Sequence, residues 1–275
     1  MSGPGDRFAA LQSRGDRDYQ EDEFGILDGR DSASSLAEHT LLVVADGMGG
    51  HVAGARASQI LTESFIDTYQ KSEGAISERL QQSLNQSNAD VAEAISIDHG
   101  LAGMGSTLLA TVISEAGLEW ISVGDSPLWL YREGELKRIN QDHSMAPVLA
   151  DMVAAGKLSE SEAASDPKRN ALRSAVMGDS LGLVDSSSNA VGLQQGDVLL
   201  LASDGVMTLS DVQIASLIED NINAANDEIL ATIMQAVMES EKPNQDNTTI
   251  LIYSVDPKSL EQANDAATQL IEKQV

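Results

Sequence analysis

The sequence predicts an α+β fold in which antiparallel sheets are covered by helices. Apolar segments of strand length come in two blocks, and segments with helical periodicity lie between the blocks and after them. Strands and helices do not alternate one by one, so the pattern does not indicate parallel βαβ units. We see no convincing linker in the 275 residues, and we expect a single domain over 1–275. Its core would span about 7–255, with a C-terminal docking helix at about 257–273.

The first strand block and two helices account for the N-terminal part of the chain. Segments 7–15 and 23–29 read as short strands around a polar turn, and the apolar run TLLVVAD at 40–46 predicts a buried strand. Apolar residues then recur every three or four positions, which predicts two amphipathic helices. The apolar positions are Ala57, Leu61, Phe65 and Tyr69 in the first helix and Ile76, Leu80, Leu84, Val91 and Ile95 in the second.

The second strand block begins where the period of the pattern changes. Segments 106–114, 117–126 and 127–136 are rich in β-branched and aromatic residues and are broken by Gly and Pro. This pattern predicts an antiparallel meander. Short helices separated by turns follow at 151–170, and strand character resumes at 189–205.

A helix, a second helix and a strand complete the predicted elements. Ser210 and Gln213 form a capping-box pattern, which predicts that a helix begins there. The apolar positions of this helix are Val212, Ala215 and Ile218. A further helix is expected at about 227–238, and the apolar segment 247–255 predicts one more strand.

The composition excludes several kinds of chemistry and partner. The chain has no cysteine, which excludes disulfides, zinc–thiolate sites and cysteine nucleophiles. Its 17 basic and 43 acidic residues give a formal charge of -26. That balance argues against binding to nucleic acid or to an anionic membrane, and it favours cationic partners and divalent metals. The apolar runs are far shorter than the ~20 residues of a membrane span, and no signal peptide is visible. We expect a soluble cytoplasmic monomer.

Four apolar segments end or begin at an aspartate. Asp46 follows LLVVA, Asp204 follows VLLLAS, Asp125 follows WISVG, and Asp246 precedes NTTILIY. One such residue usually indicates a turn, because Asp is a poor strand residue. Strands of one sheet or sandwich bring their ends to a common rim, however, where several carboxylates repel one another unless a cation neutralises them. Oxygen ligands without cysteine indicate Mg²⁺ or Mn²⁺ rather than zinc.

The glycines that follow Asp46 have two interpretations. Glycine permits a close approach of the backbone to other groups, so the Gly47 carbonyl could turn toward the same cation as Asp46. The alternative is a plain strand-to-helix turn, which is sufficient to explain Gly49 and Gly50.

Seven motifs occur in order along the chain. They are RDYQED (17–22), ADGMGGH (45–51), GMGSTLLATV (103–112), SVGDS (122–126), QDHS (141–144), LLLASDGV (199–206) and QDNTTI (245–250). Together they resemble the metal-dependent protein phosphatases, the PPM or protein phosphatase type 2C family, in its compact bacterial form. The resemblance implies two stacked antiparallel β-sheets flanked by α-helices on both sides. It also implies hydrolysis of phosphoserine or phosphothreonine in a protein substrate.

The resemblance further implies a set of metal ligands. The matching residues are Asp46, Asp204, Asp246 and the carbonyl of Gly47 for two Mn²⁺ or Mg²⁺ ions, Glu21 and Asp22 as the acidic pair that holds metal-bound waters, and Asp125 for a third ion. Two such ions would lower the pKa of a bridging water and offset the charge of the phosphoryl oxygens. This reaction needs no protein nucleophile, which is consistent with the absence of cysteine.

Two further residues match positions that contact the substrate. Arg17 matches the residue that binds the substrate phosphate, although an ordinary surface ion pair is the alternative for an arginine in RGDRD. His51 matches a histidine that could donate a proton to the leaving alkoxide, and the alternative is a histidine that hydrogen-bonds the turn. We interpret His143 as structural, orienting the loop that follows it.

Some positions depart from the family pattern. Pro127 stands where an arginine usually follows GDS, and Thr208 stands where many members carry an acidic residue. The second departure reduces the number of carboxylates available to a third ion. Residues 145–170 correspond to a variable flap beside the active site, which we expect to influence substrate preference.

Two other functions are compatible with parts of the sequence. A catalytically silent regulatory module would bind phosphoprotein without cleaving it, but the complete set of acidic ligands argues against this. An acidic calcium-binding protein would need closely spaced ligands, and DGRDSASSLAEH at 28–39 fits that requirement poorly.

Overall fold

The computed structural model describes residues 7–29, 39–50, 52–240 and 242–255, and the elements below lie within these ranges. The strands are β1 (Phe8–Ser13), β2 (Asp22–Asp28), β3 (Thr40–Met48), β4 (Gly105–Ser106), β5 (Leu108–Ser114), β6 (Gly117–Val123), β7 (Leu128–Arg132), β8 (Glu135–Arg138), β9 (Asp185–Ser186), β10 (Val198–Ala202) and β11 (Thr248–Ser254). The helices are α1 (Val52–Lys71), α2 (Ile76–Ile97), α3 (Ala146–Ala154), α4 (Glu160–Ser165), α5 (Asp211–Asp220) and α6 (Asn226–Glu239), with short 3₁₀ turns at His99–Leu101 and Asp204–Thr208.

These strands form two antiparallel sheets that pack face to face. The first sheet has the order β2-β3-β5-β6-β9, with β4 paired to the end of β3. The second sheet has the order β1-β11-β10-β7-β8. Helices α1 and α2 cover the outer face of the first sheet, and α5 and α6 cover the outer face of the second. The predicted α+β sandwich with helices on both sides is therefore confirmed.

The central strands are buried on both faces, which explains their uninterrupted apolar runs. In β3, Leu41, Val43 and Ala45 face the helices, whereas Leu42 and Val44 face the other sheet. Strands β10 and β11 divide their side chains between an outer and an inner cluster in the same way. Each such strand buries apolar surface on two sides. Period-two alternation of apolar and polar residues is absent from them for that reason.

The two long helices pack as their periodicity predicts. Ala57, Leu61, Phe65 and Tyr69 are all fully buried against the first sheet. The predicted capping box of α5 is also confirmed, because Ser210 Oγ accepts a hydrogen bond from the Gln213 amide and the Gln213 side chain accepts one from the Ser210 amide. The predicted apolar face of α5 is wrong at one position. Val212 is 76% exposed, and Ile214 and Ile218 are the buried residues.

The predicted meander over 106–136 is wrong in its pairing. Strands β5 and β6 pair with each other in the first sheet, but β7 pairs with β8 and β10 in the second. The chain crosses between the sheets at 124–127. There Gly124 adopts a φ of 106°, and the Leu128 amide bonds the Asn140 side chain rather than β6. Strands buried on both faces carry no periodicity that tells which sheet they join, so the sequence could not show this crossing.

Two predicted features lie outside the described residues. They are the C-terminal helix at 257–273 and the loop segment 30–38. None of the helices in the described ranges is long and apolar enough to cross a membrane.

Candidate metal centre

A cavity of about 530 Å³ opens at one rim of the two-sheet interface. Its lining includes three of the aspartates singled out from the sequence, Asp46, Asp125 and Asp204. The opposing wall is residues 170–177, which lie mostly beyond the predicted flap at 145–170. Asp46 extends from β3, Asp125 lies in the crossing from β6 to β7, and Asp204 follows β10, so strand ends from both sheets meet here.

Asp22 ties the two sheets together beneath this cavity. It pairs directly with Asp46 in the register of β2 and β3, so the two side chains share the inner face of the first sheet. Asp22 Oδ2 accepts hydrogen bonds from Ser203 Oγ and Thr249 Oγ1, both at 2.7 Å and both from the second sheet. Its other oxygen, Oδ1, is buried and has no hydrogen-bond partner among the described residues, and the residue as a whole is only 4% exposed. A buried, unpartnered carboxylate oxygen is costly unless a ligand satisfies it.

The backbone on either side of Asp46 is held firmly. Strand β3 continues past Asp46 and pairs with β4. The Asp46 carbonyl accepts bonds from the Thr107 amide and from Ser106 Oγ, and the Asp46 amide donates to Thr107 Oγ1 at 3.0 Å. The geometry also requires glycine at Gly47, because a Cβ there would lie 2.3 Å from the Gly54 carbonyl oxygen. Gly47 therefore has a packing role in addition to the predicted carbonyl ligand, which stays a prediction.

Asp246 and Arg17 form an ion pair at the edge of the site. Arg17 Nη2 lies 2.5 Å from Asp246 Oδ2, and the two side chains are 54% and 40% exposed. The other carboxylate oxygen of Asp246 accepts a bond from the Asn247 amide at 2.8 Å. Asn247 in turn accepts from the Glu21 amide, so the loop that carries Arg17 and Glu21 is fastened to the loop that carries Asp246.

The backbone of Asp125 is held by a largely buried arginine that sequence reasoning did not single out. Arg138 Nη2 donates to the Asp125 carbonyl at 2.7 Å, Nε donates to Asn140 Oδ1, and Nη1 lies 3.4 Å from Asp142 Oδ2. His143 holds the same loop, because its Nδ1 accepts from the Gly124 amide and its own amide donates to the Gly124 carbonyl. These contacts agree with the structural interpretation of His143.

The acidic side chains of this site are close together and largely removed from water. Burial, ahead of the charges of Asp204 and Asp246, raises the pKa of Asp22 to about 7, although the hydrogen bonds from the second sheet lower it. Burial also raises the pKa of Asp125 to about 7, with contributions from Asp204 and Asp142 and an opposing one from Arg138. The pKa of Asp46 is raised well above its usual range, first by burial and then by the neighbouring carboxylates.

The repulsion between these aspartates would be relieved by a bound cation. Burial and Asp246 raise the pKa of Asp204, and Lys242 and Arg17 oppose that shift. No group of three or more Asp, Glu or His side chains in the described ranges is already arranged to hold one ion. Asp246 is turned to Arg17 instead, and Asp22 keeps one oxygen unpartnered. The donor set is entirely oxygen, which is the set that Mg²⁺ and Mn²⁺ prefer.

The structure leaves some predicted roles open and adds supporting residues. His51 lies outside the described residues. Glu21 packs its carboxylate against Gly54 of α1, since a Cβ on that glycine would lie 2.2 Å from Glu21 Oε2. The residues that sequence reasoning missed are Thr107, Arg138, Arg173, Ser203 and Thr249. Thr107, Ser203 and Thr249 lie inside the recognised motifs, and that position was the available signal for them. Arg138 gave none, and Arg173 lies in ALRSAVMGD at 171–179, whose match to the family pattern is offset by about one residue.

Comparisons with known proteins agree with this geometry. Residues 20–249 match the family model for protein phosphatase 2C. The serine/threonine phosphatase stp of Listeria monocytogenes serotype 4b (strain F2365) is 28% identical over 198 residues, which is 70% of this chain and 74% of that protein. The crystal structure of the Mycobacterium tuberculosis serine/threonine phosphatase PstP/Ppp aligns with a TM-score of 0.74 at 29% identity, over 91% of this chain and 98% of that chain.

A further solved structure bears on the metal. The catalytic domain of the serine/threonine protein phosphatase PstP, in complex with two manganese ions, aligns at 28% identity with a TM-score of 0.72, over 91% of this chain and 98% of that chain. The family model covers most of the present chain, and the cavity offers the oxygen ligands that a divalent cation needs. The chain belongs to the protein phosphatase 2C family, whose members are metal-dependent serine/threonine protein phosphatases.

Proposed function

We propose that this protein removes phosphate from phosphoserine and phosphothreonine in protein substrates, with two Mn²⁺ or Mg²⁺ ions held at the rim of the sandwich. Asp46, Asp204 and Asp246 would bind the ions directly, together with the carbonyl of Gly47. Glu21 and Asp22 would hold waters on them. One observation carries the proposal. Asp46 from one sheet and Asp204 from the other line one cavity, and burial and repulsion between carboxylates raise their pKa values and that of Asp22 beneath them.

The chain's own residues would bind the substrate and manage the proton. Divalent ions, when bound, supply an acidified water and positive charge that offsets the phosphoryl oxygens. Arg17 carries a guanidinium beside Asp246 that can fork onto two phosphate oxygens. His51 is the proposed proton donor to the serine or threonine alkoxide that leaves. The hydrogen bonds around Asp46 fix its position before substrate arrives, which is the preorganisation that such catalysis requires.

A third ion would depend on Asp125. Position 208 offers no carboxylate because it is a threonine. The Thr208 hydroxyl is also engaged, since it donates a hydrogen bond to Gln245 Oε1 at 2.7 Å. We propose that any third ion binds more weakly than the first two, with Asp125 as its ligand. Titration of metal-free protein with Mn²⁺ would resolve two tight steps, and Asp125→Asn would remove only a weaker one.

The decisive experiment is hydrolysis of p-nitrophenyl phosphate and of a phosphothreonine peptide by metal-free protein, with and without added Mn²⁺. Turnover is expected only with Mn²⁺, and Asp204→Asn is expected to abolish it. Asp67→Asn is the matched control, because Asp67 is an exposed carboxylate paired with Lys71 on α1. Turnover without metal, or full activity of Asp204→Asn, would contradict the proposal. Tight binding of the phosphopeptide without cleavage in Mn²⁺ would favour the silent regulatory module instead.

We also propose that the protein acts as a cytoplasmic monomer and selects phosphoproteins rather than nucleic acids. The charge of -26 supports the exclusion of polyanions through bulk electrostatics. Light scattering of the purified protein measures its mass in solution, and fractionation of cells measures its location.

A further inference from the structure

One arginine on the cavity wall has no partner in the described part of the chain. Arg173 lines the cavity together with Asp46, Asp125 and Asp204. Its side chain is exposed and makes no hydrogen bond or ion pair with any described residue. An unpaired cation is unusual at a site dominated by carboxylates, in a chain with only 17 basic residues.

The backbone that carries Arg173 is fixed on both sides. Its amide donates to the His143 carbonyl at 2.8 Å, and the preceding residue, Leu172, forms a β-bridge with Ser144. On the other side, Val176 exchanges two backbone bonds with Ser106, at 2.9 and 3.0 Å. Ser106 also bonds the Asp46 carbonyl. The base of the Arg173 side chain is therefore positioned against the same framework that positions Asp46.

Two other arginines, Arg138 and Arg132, are committed to structural contacts, unlike Arg173. Arg138 is largely buried and bonds the Asp125 carbonyl, Asn140 and Asp142. Arg132 is bound to Asp197. Arg173 has no such partner among the described residues, and the aspartates that line the cavity with it are proposed metal ligands. Carboxylates that bind metal are not available to an arginine, so this guanidinium remains open to an anion that enters the cavity.

We propose that Arg173 determines substrate preference by binding an anionic group beside the phosphoresidue that is cleaved. The group would be the carboxylate of an aspartate or glutamate, or a second phosphoryl group, since both present the paired oxygens that a guanidinium binds. The protein then prefers acidic or doubly phosphorylated sites, although its overall charge favours basic partners. This inference rests on the proposed function, because it concerns the substrate of the same site.

The test compares phosphothreonine peptides that differ only in the flanking residues, which are acidic in one, phosphoserine in a second and alanine in a third. A charge-assisted hydrogen bond contributes on the order of 1.5–3 kcal/mol, which corresponds to roughly a tenfold to hundredfold effect. Arg173→Gln is expected to raise KM by at least about tenfold for the acidic and phosphoserine peptides. It should leave kcat on those peptides unchanged, and it should leave turnover of the alanine peptide and of p-nitrophenyl phosphate unchanged.

Two further variants separate the effect of charge from that of folding. Arg173→Lys keeps the charge but loses the fork, so it should retain part of the preference. Lys137→Gln removes an exposed cation on β8 that does not line the cavity, and it should change nothing. Which of the two anionic peptides is preferred identifies the source of the anion, and preference for either one supports the proposal.

Two outcomes would overturn the inference. The first is an equal loss of activity on all peptides and on p-nitrophenyl phosphate, which would place Arg173 on the cleaved phosphate or in the support of the site. The second is an unchanged KM for every peptide in Arg173→Gln. Failure of the proposed function looks different, because the unaltered protein would then lack Mn²⁺-dependent turnover on every peptide.

Discussion

An aspartate lies just beyond each end of strand β10, and the surroundings of the two carboxylates differ. Asp197 precedes the strand, is 1% exposed, and accepts bonds from Arg132 Nε at 2.8 Å, from Arg132 Nη2 at 2.5 Å and from the Gln194 amide at 2.6 Å. Asp204 follows the strand at the cavity, and its carboxylate makes no hydrogen bond or ion pair with any described residue. Burial and Asp246 raise its pKa.

The difference is the one we expect between a structural carboxylate and the proposed metal ligand Asp204. A buried charge normally has a partner, because leaving it unpaired is costly. The fold places Arg132 against Asp197, whereas the carboxylate of Asp204 lies near that of Asp246. An aspartate at a strand end can be paired with a cation or left among other carboxylates. The sequence alone does not tell which, because the outcome depends on the groups that surround it in the fold.

The largest expected effect on stability comes from replacing Asp197, the aspartate that is paired with Arg132. Asp197→Asn removes the counter-charge of Arg132, and because the Arg132 side chain is 30% exposed, it should lower the free energy of unfolding by about 1.5–3 kcal/mol. Asp204→Asn removes a repelled carboxylate and should leave the stability of the metal-free protein unchanged or higher. Urea unfolding of both variants without metal measures the two values. Equal losses would mean that Asp204 is also a structural acid.

Added metal should narrow the difference in stability between the two variants. A ligand that binds only the folded state at 100 times its Kd stabilises the protein by about 2.7 kcal/mol. Mn²⁺ should therefore raise the Tm of the unaltered protein and of Asp197→Asn by similar amounts, but it should not raise the Tm of Asp204→Asn. Calorimetry with and without EDTA checks this. A full Mn²⁺ shift in Asp204→Asn would remove that residue from the proposed ligands.

The charge cluster also predicts how the stability of the metal-free protein depends on pH. The pKa of Asp22 is raised from 3.8 to about 7, so between those values the folded state binds more protons than the unfolded state. Stability should then fall as the pH rises from about 4 to 7, by about 1–2 kcal/mol between pH 5 and 7. Asp22→Asn should reduce this slope in urea unfolding series without abolishing it, because the pKa of Asp125 is also raised to about 7. An identical slope in the variant would assign the effect to other groups.

The sequence predicted the layers and the acidic positions, but not the contacts that distinguish them. Helix periodicity and the capping box at Ser210 arise from neighbours along the chain, so they could be predicted. The crossing between the sheets at 124–127 could not, because β6 and β7 look alike when both faces of each are buried. The supports of the site, such as Ser203 bound to Asp22, depend on strands far apart in sequence, which no local pattern records.

The smallest expected effect on stability is at the exposed pair of Arg17 and Asp246. Both partners are well exposed, and such pairs contribute about 0–1 kcal/mol. Arg17→Gln should therefore change the free energy of unfolding by less than about 1 kcal/mol, and Arg14→Gln, a nearby exposed arginine, serves as its control. Only Arg17→Gln should raise KM for a phosphopeptide, because its guanidinium is the proposed phosphate contact.

The measurement pairs urea unfolding with steady-state kinetics, because each alone is ambiguous. A stability loss as large as that of Asp197→Asn would make the exposed pair a structural element. An unchanged KM would leave Arg17 as an ordinary surface ion pair, which its sequence context alone permits. A raised KM with unchanged stability would instead place Arg17 with Asp204, among the groups that the fold leaves available for a ligand.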